Sequence, residues 1–218
     1  MMARGFTRLR PPRQFARDES GTTLVEFAVV LPLFLLFVFA MIDFGRMGFE
    51  YVLANKAVQI AARTAVARPP ACSGVPETNA RGAIGLNTVP PAFGTNCRAG
   101  LTVCAAPAVV QCAGNASNTT VSEIWGRVSN LMPTGSSEAN LAFSYAFNSD
   151  LGFLGGPYVP MVTVKITEFD FQFITPLAAL AILAGGGTLN GNSQPGSVPF
   201  PPLGVTLPGE DLSNGEAG

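Results

Sequence analysis

The sequence predicts an α+β protein in which a long N-terminal transmembrane helix continues into a small domain with a short antiparallel sheet. Three observations lead to this class. An uncharged apolar run lies near the N-terminus, a proline-free stretch follows it, and two segments with alternating apolar residues come later in the chain. The 218 residues leave room for one anchored helix and one modest domain.

The apolar run extends from Phe27 to Ile42 without a charged residue. Extended back to Leu24 across Glu26, it is about 28 Å long at roughly 1.5 Å per helical residue, close to the hydrocarbon thickness of about 30 Å. Its side chains are apolar on all sides of the helix, as contact with lipid requires. We therefore predict a transmembrane segment at about 24–42, with a buried core helix as the alternative.

The helix is predicted to run over 22–67, because no proline interrupts its second half and Pro69-Pro70 follows. An alanine-rich stripe at helical spacing lies along this second half and would pack either on the protein's own domain or on another subunit. Charges of alternating sign predict that another face is partly solvated: Asp43, Arg46, Glu50, Lys56 and Arg63.

The domain is predicted to span 68–184. Alternating apolar residues favour strands at 140–148 and 158–173, which would pair as an antiparallel hairpin. A short helix is predicted at 119–132, with Thr120 as its N-cap.

Two segments near the C-terminus have separate interpretations. The apolar patch from Leu177 to Leu183 is too short to cross a bilayer as a helix and is predicted to be a short buried or interfacial helix. The segment 185–218 is rich in Gly, Pro, Ser and Asn, which predicts a flexible tail.

Charge is divided unevenly along the chain. The first 21 residues carry five arginines against two acidic residues, whereas the part beyond Arg68 carries four basic and nine acidic residues, a net charge near −5. The positive-inside rule keeps residues 1–21 cytoplasmic and sends the domain across the membrane. An acidic domain argues against a nucleic-acid partner, since binding phosphates requires clustered Lys and Arg.

Four cysteines, all on the translocated side, are predicted to form two disulfides, as an oxidising compartment favours: Cys72, Cys97, Cys104 and Cys112. The sequence leaves all three possible pairings open. It contains no histidine and no Cys-x-x-Cys pair, which argues against a metal site. Without histidine or another convincing constellation for catalysis, we expect no enzymatic activity, no catalytic residue and no cofactor.

The start of the helix carries a recognisable motif. Gly21 is followed, after four residues, by Glu26-Phe27 at the head of the apolar run. This arrangement resembles the processing site of type IV prepilins, which implies a cut between Gly21 and Thr22 by a prepilin peptidase. With the later residues Asp43-Phe44-Gly45-Arg46, the segment from Gly21 to Ala67 is similar to the TadE/TadG-like pseudopilin family of the tight-adherence pilus.

The resemblance implies a minor pilin or pseudopilin that acts in pilus assembly and surface adherence, with Glu26 and Phe27 as assembly residues. It implies a single-pass protein of the bacterial inner membrane with a periplasmic C-terminal domain, and a place at the cell surface once in a pilus. The implied partners are the prepilin peptidase, other pilins, the assembly platform and membrane lipid. The alternative is a membrane-anchored periplasmic binding module that never assembles and needs neither the cut nor Glu26.

Overall fold

The first element, helix α1, spans Thr22–Ala65 of a computed structural model that describes residues 22–85, 89–167, 170–173, 197–210 and 212. Its most apolar stretch has a mean hydropathy of 2.7, and no residue of that stretch is buried by the described part of the chain. The helix is thus long and apolar enough to cross a membrane once, as the sequence predicts. It ends just before the predicted Ala67.

The second half of α1 packs on the protein's own domain. A stripe of small side chains is almost fully excluded from solvent there: Ala54, Ala57, Val58, Ala61, Ala62 and Ala65. These positions recur every three or four residues and therefore lie on one face of the helix. Of the two predicted uses of the stripe, packing within the chain is the one found.

The domain contains one four-stranded antiparallel sheet in the order β1-β2-β3-β6. The strands are β1 (Val110–Ala113), β2 (Leu141–Ala146), β3 (Met161–Ile166) and β6 (Leu203–Pro208). Two further strands, β4 (Asp170–Gln172) and β5 (Ser197–Pro199), form a separate antiparallel pair. The predicted α+β class and the hairpin between β2 and β3 are confirmed.

One face of the large sheet forms the core with α1. Phe143, Tyr145, Val162 and Val164 are buried, whereas the alternating Thr163 and Lys165 face outward. The hydroxyl groups of Thr163 and Thr206 lie 2.8 Å apart on the outer face. Each strand is therefore half-buried, which explains its period of two.

The predicted strand at 158–173 is wrong as a single element. Its first part is β3, which pairs with β2 and β6, while its last part is β4, which pairs with β5 in the other sheet. The apolar alternation continues through both strands, so the sequence pattern does not show the change of partner.

The prediction of a flexible tail at 185–218 is also wrong for part of that segment. Strand β6 pairs with β3 over its whole length, from Leu203 opposite Ile166 to Pro208 opposite Met161. Its pattern is weak because Gly204 interrupts it, yet an added Cβ there would lie 3.0 Å from the Lys165 side chain, so the glycine fits a crowded position. The predicted helix at Leu177–Leu183 lies outside the described residues.

Helix α2 spans Thr119–Val128 and continues as a 3₁₀ turn over Ser129–Leu131. Its N-cap is Asn118, whose side chain accepts a hydrogen bond from the Val121 amide, and not the predicted Thr120. The Thr120 hydroxyl instead donates to the Pro69 carbonyl at 2.8 Å. This bond ties α2 to the segment that leaves α1.

Two disulfides join all four cysteines. Cys72 pairs with Cys112, linking the segment after α1 to β1, and Cys97 pairs with Cys104 within one loop. Beside the first disulfide, the buried Tyr145 hydroxyl accepts a hydrogen bond from the Ala71 amide at 2.8 Å. Burial raises the pKa of this hydroxyl, and the bond from Ala71 opposes that rise.

Replacing Val164 by Asp should unfold the domain, because its side chain is fully buried and an unpaired carboxylate there costs several kcal/mol. Lys165→Ala, the neighbour on the exposed face, should shift the free energy of unfolding by less than about 0.5 kcal/mol. Thermal unfolding of the detergent-solubilised chain measures both effects. Equal loss of stability in the two variants would contradict the assigned faces.

The two disulfides should differ in their contribution to stability. Cys72–Cys112 closes a separation of 40 residues and Cys97–Cys104 closes one of seven. Loop-closure entropy then predicts roughly 4 kcal/mol for the first and roughly 2.5 kcal/mol for the second. Denaturant unfolding of the two double Cys→Ser variants tests this order, and a larger loss on removing Cys97–Cys104 would refute it.

Candidate functional site

The predicted processing and assembly residues lie at the start of α1. Gly21 is outside the described residues, and Thr22 is the first residue of the helix. Glu26 follows four residues later, so Thr22 and Glu26 share one face about one turn apart. Glu26 is exposed and forms no ion pair within the described part of the chain.

The surface around Glu26 is apolar and uncovered. Phe27 is 61% exposed, and Leu24 and Val25 are exposed to a similar degree. Further along the same half, Leu33, Phe34 and Phe37 are also exposed. The Glu26 carboxylate lies at the head of this surface and forms no ion pair within the described residues.

At the other end of the apolar run, Asp43 is fully buried. Its carboxylate lies 3.5 Å from the Arg46 guanidinium, which also reaches Glu50 at 3.3 Å. The sequence prediction of a partly solvated face is therefore wrong at Asp43. The domain covers the side of α1 on which Asp43 lies. Asp43, Arg46 and Glu50 form a ladder of ion pairs along the helix, at spacings of three and four residues.

The Arg46 side chain also contacts the domain directly. Its guanidinium carbon lies 5.2 Å from the ring centre of Phe171, a residue of β4 that is only 1% exposed. Phe173 packs edge-on against both Phe171 and Phe44, with ring centres 5.4 and 6.1 Å apart. A cation over an aromatic face is attractive, and more so where water is excluded.

These contacts show what holds the helix and domain together where the apolar run ends. Asp43, Phe44 and Arg46 all lie in the motif that sequence reasoning singled out. The structure brings Arg46 against Phe171 of β4 and Phe44 against Phe173 just after it, and it pairs Asp43 with Arg46. Sequence reasoning missed the contact between Phe171 and Arg46, because nothing local to Asp170–Gln172 indicates which part of the chain it meets. The spacing of Asp43, Arg46 and Glu50 was the available signal for the ion-pair ladder.

The fold and site define a class: an α+β protein with one N-terminal helix that is consistent with a single-pass membrane anchor and carries a small disulfide-bonded domain. Within this class, residues 21–63 match the model of the family described as TadE-like protein. This match confirms the resemblance seen in the sequence. No curated protein and no solved structure matches the chain.

The matched segment covers α1 almost entirely and stops before the domain begins. It includes Gly21, Glu26, Asp43 and Arg46, and leaves out the sheet and both disulfides. The match therefore suggests a protein associated with the tight-adherence pilus. The matched part is the one that carries the exposed apolar surface.

Replacing Arg46 by Ala should lower the free energy of unfolding by about 1–3 kcal/mol, because a charge-assisted bond to Glu50 and the contact with Phe171 are both lost. Arg46→Lys should recover part of this, since lysine keeps the charge but not the planar guanidinium. Thermal unfolding of the detergent-solubilised chain provides the measurement.

The matched control is Arg98→Ala. Arg98 is exposed, and its side chain forms no ion pair within the described residues. Its loss should leave stability unchanged. If Arg46→Ala and Arg98→Ala change the unfolding temperature equally, the contacts of Arg46 do not hold the helix to the domain.

Proposed function

We propose that the protein is a minor pilin or pseudopilin of a tight-adherence pilus or a related secretion system, with a structural and not an enzymatic role. The observation that carries the proposal is the position of the TadE-like match on α1. The matched helix presents an uncovered apolar half that begins beside Gly21 and Glu26, and its other half is committed to the domain.

In this proposal the basic leader, residues 1–21, stays cytoplasmic, and a prepilin peptidase removes it at Gly21. The helix then holds the protein in the bacterial inner membrane with the domain in the periplasm. The two disulfides support an oxidising compartment for the domain. Other pilins and the assembly platform are the partners, and adherence of the assembled pilus is the outcome.

Glu26 supplies the driving force for association. The cut creates an ammonium group on Thr22, one helical turn from the Glu26 carboxylate. At a low dielectric constant an ion pair between these groups is much stronger than in water, and an unpaired carboxylate is costly. Pairing with a neighbour's ammonium group would draw subunits together in register, with Phe27 and the exposed apolar side chains in contact.

The proposal separates processing from assembly at two neighbouring residues. Gly21→Leu should leave an inserted but uncleaved precursor, because the larger side chain blocks access to the backbone at the cut. Glu26→Ala should be inserted and cleaved, yet fail to associate with other pilins. Mass spectrometry of the mature N-terminus and co-purification from membranes measure the two steps.

Glu138→Ala is the control for loss of a carboxylate, since Glu138 lies in the domain and forms no ion pair within the described residues. This variant should be cleaved and should assemble. An uncleaved Gly21→Leu form that still supports piliation, or a Glu26→Ala form that assembles normally, would refute the mechanism. A wild-type chain with an intact leader and no pilin partner would instead favour the anchored binding module.

A further inference from the structure

A cleft of about 300 Å³ lies between the C-terminal end of α1 and the outer side of α2. Three of the residues that line it are arginines, one from each helix and one from the segment between them. The full lining is Ile60, Arg63, Thr64, Ala67, Arg68 and Arg127. Three guanidinium groups around one small cleft create a local excess of positive charge. This excess is unusual because the chain beyond Arg68 is acidic, with a net charge near −5.

One carboxylate of the same chain, on the protein surface, neutralises only part of this charge. Glu123 accepts hydrogen bonds from Arg68, at 2.8 and 3.1 Å, and from Arg127 at 2.6 Å. The Arg68 guanidinium holds the pKa of Glu123 below its usual value, so this carboxylate is ionised near neutral pH. The three arginines and Glu123 together leave a net charge of about +2 at the cleft.

Arg63 is the part of the cleft that remains available. It is exposed and forms no ion pair or side-chain hydrogen bond with the described residues. Its position in the last turn of α1 is favourable for a cation, because the helix dipole places negative charge there. The helix dipole explains why an arginine is tolerated at this position, but it provides no hydrogen-bond acceptor for the five N–H groups of the guanidinium.

The charge and position of the cleft favour a small anion carried by a protein over a polyanion or a lipid headgroup. A nucleic acid or another long polyanion would meet the acidic remainder of the domain and be repelled. Lipid headgroups are distant, because Arg63 lies roughly 30 Å along the helix beyond Ile42 at 1.5 Å per residue. A single carboxylate on a protein surface is small enough and meets neither obstacle.

The chain itself exposes carboxylates at the end of the sheet that lies beside the C-terminal end of α1, where Ala146, Met161 and Pro208 are paired. The Glu210 backbone amide donates to the Val66 carbonyl, beside the cleft, and the Glu77 backbone carbonyl accepts from the Tyr158 amide just before β3. Asp150 follows the end of β2 that pairs with the start of β3. All three acidic residues are exposed and form no ion pair within the described residues.

We infer that the arginine cleft of one copy binds an exposed carboxylate of a second copy, lying parallel in the same membrane. The inference rests on the anchoring given under the proposed function, because parallel anchoring holds the cleft-bearing ends of the two domains side by side. The contact is lateral and lies about 30 Å beyond the apolar run, so it adds to any contact that the membrane halves make.

Zero-length cross-linking of an Arg63→Lys variant tests the contact. The substitution keeps the positive charge, and a carbodiimide joins the introduced amine only to a carboxylate in direct contact. In membranes that hold a mixture of isotope-labelled and unlabelled full-length chains, mass spectrometry should find position 63 of the variant joined to Glu77, Asp150 or Glu210 of the other copy. Lys56, exposed on the same face two turns earlier, is the internal control and should be joined much less often.

A second measurement covers the case in which lysine fits the cleft poorly. Arg63→Glu should weaken self-association of the full chain in membranes by about five- to tenfold, and reversing the charge of the cross-linked acidic residue should restore it. Lys56→Glu changes the net charge equally and should have little effect. All the side chains changed in these variants are exposed, so the fold should be kept.

The outcomes that overturn the inference are distinct from a failure of the proposed function. Cross-links from position 63 of the Arg63→Lys variant only to carboxylates of its own chain, such as Glu123, Glu210, Asp211 or Glu216, would show that the cleft is filled internally. Unchanged self-association of Arg63→Glu would also overturn the inference, even if Glu26→Ala abolished assembly. If the Arg63→Lys variant gave only internal cross-links and Arg63→Glu self-associated normally, while both variants still formed pili, the inference would fail and the pilin role would stand.

Discussion

The close approach of the large sheet to α1 is the constraint on which the rest of the structure depends. Ala54, Ala57 and Ala61 have no exposed surface, and side chains this small allow the buried residues of β3 to lie near the helix backbone. Larger residues at these positions would force the layers apart, because protein interiors are too densely packed to absorb them. The burial of the core and the position of β6 both follow from this spacing.

The same helix must meet two different surroundings within one continuous rod, and its composition changes where the surroundings change. Below Asp43 its side chains are large, apolar and uncovered, and above it the face toward the domain is small and buried. The ion pairs of Arg46 and its contact with Phe171 lie at the change. Polar groups in this position are stabilised by one another and by an aromatic ring, and they fix the domain relative to the helix.

The features with strong local signals were predictable from the sequence. The apolar run, the alternation of Val162 and Val164, and the motif around Glu26 all depend on residues close together in the chain. The features that were missed depend on partners far apart: β6 is short and contains Gly204, and Phe171 meets Arg46 only through the fold. The arginine cleft was missed for the same reason, since Arg63 and Arg127 converge only after α2 packs on α1.

The Cys72–Cys112 bond also determines how the molecule carries mechanical load. A pull applied along α1 reaches the sheet through a covalent link to β1 and not through the segment between the two cysteines, which are 40 positions apart in the sequence. The segment between Cys72 and Cys112, with its own Cys97–Cys104 disulfide, is therefore shielded from tension between the helix and the sheet. Its length and sequence can change without weakening the path by which force crosses the subunit.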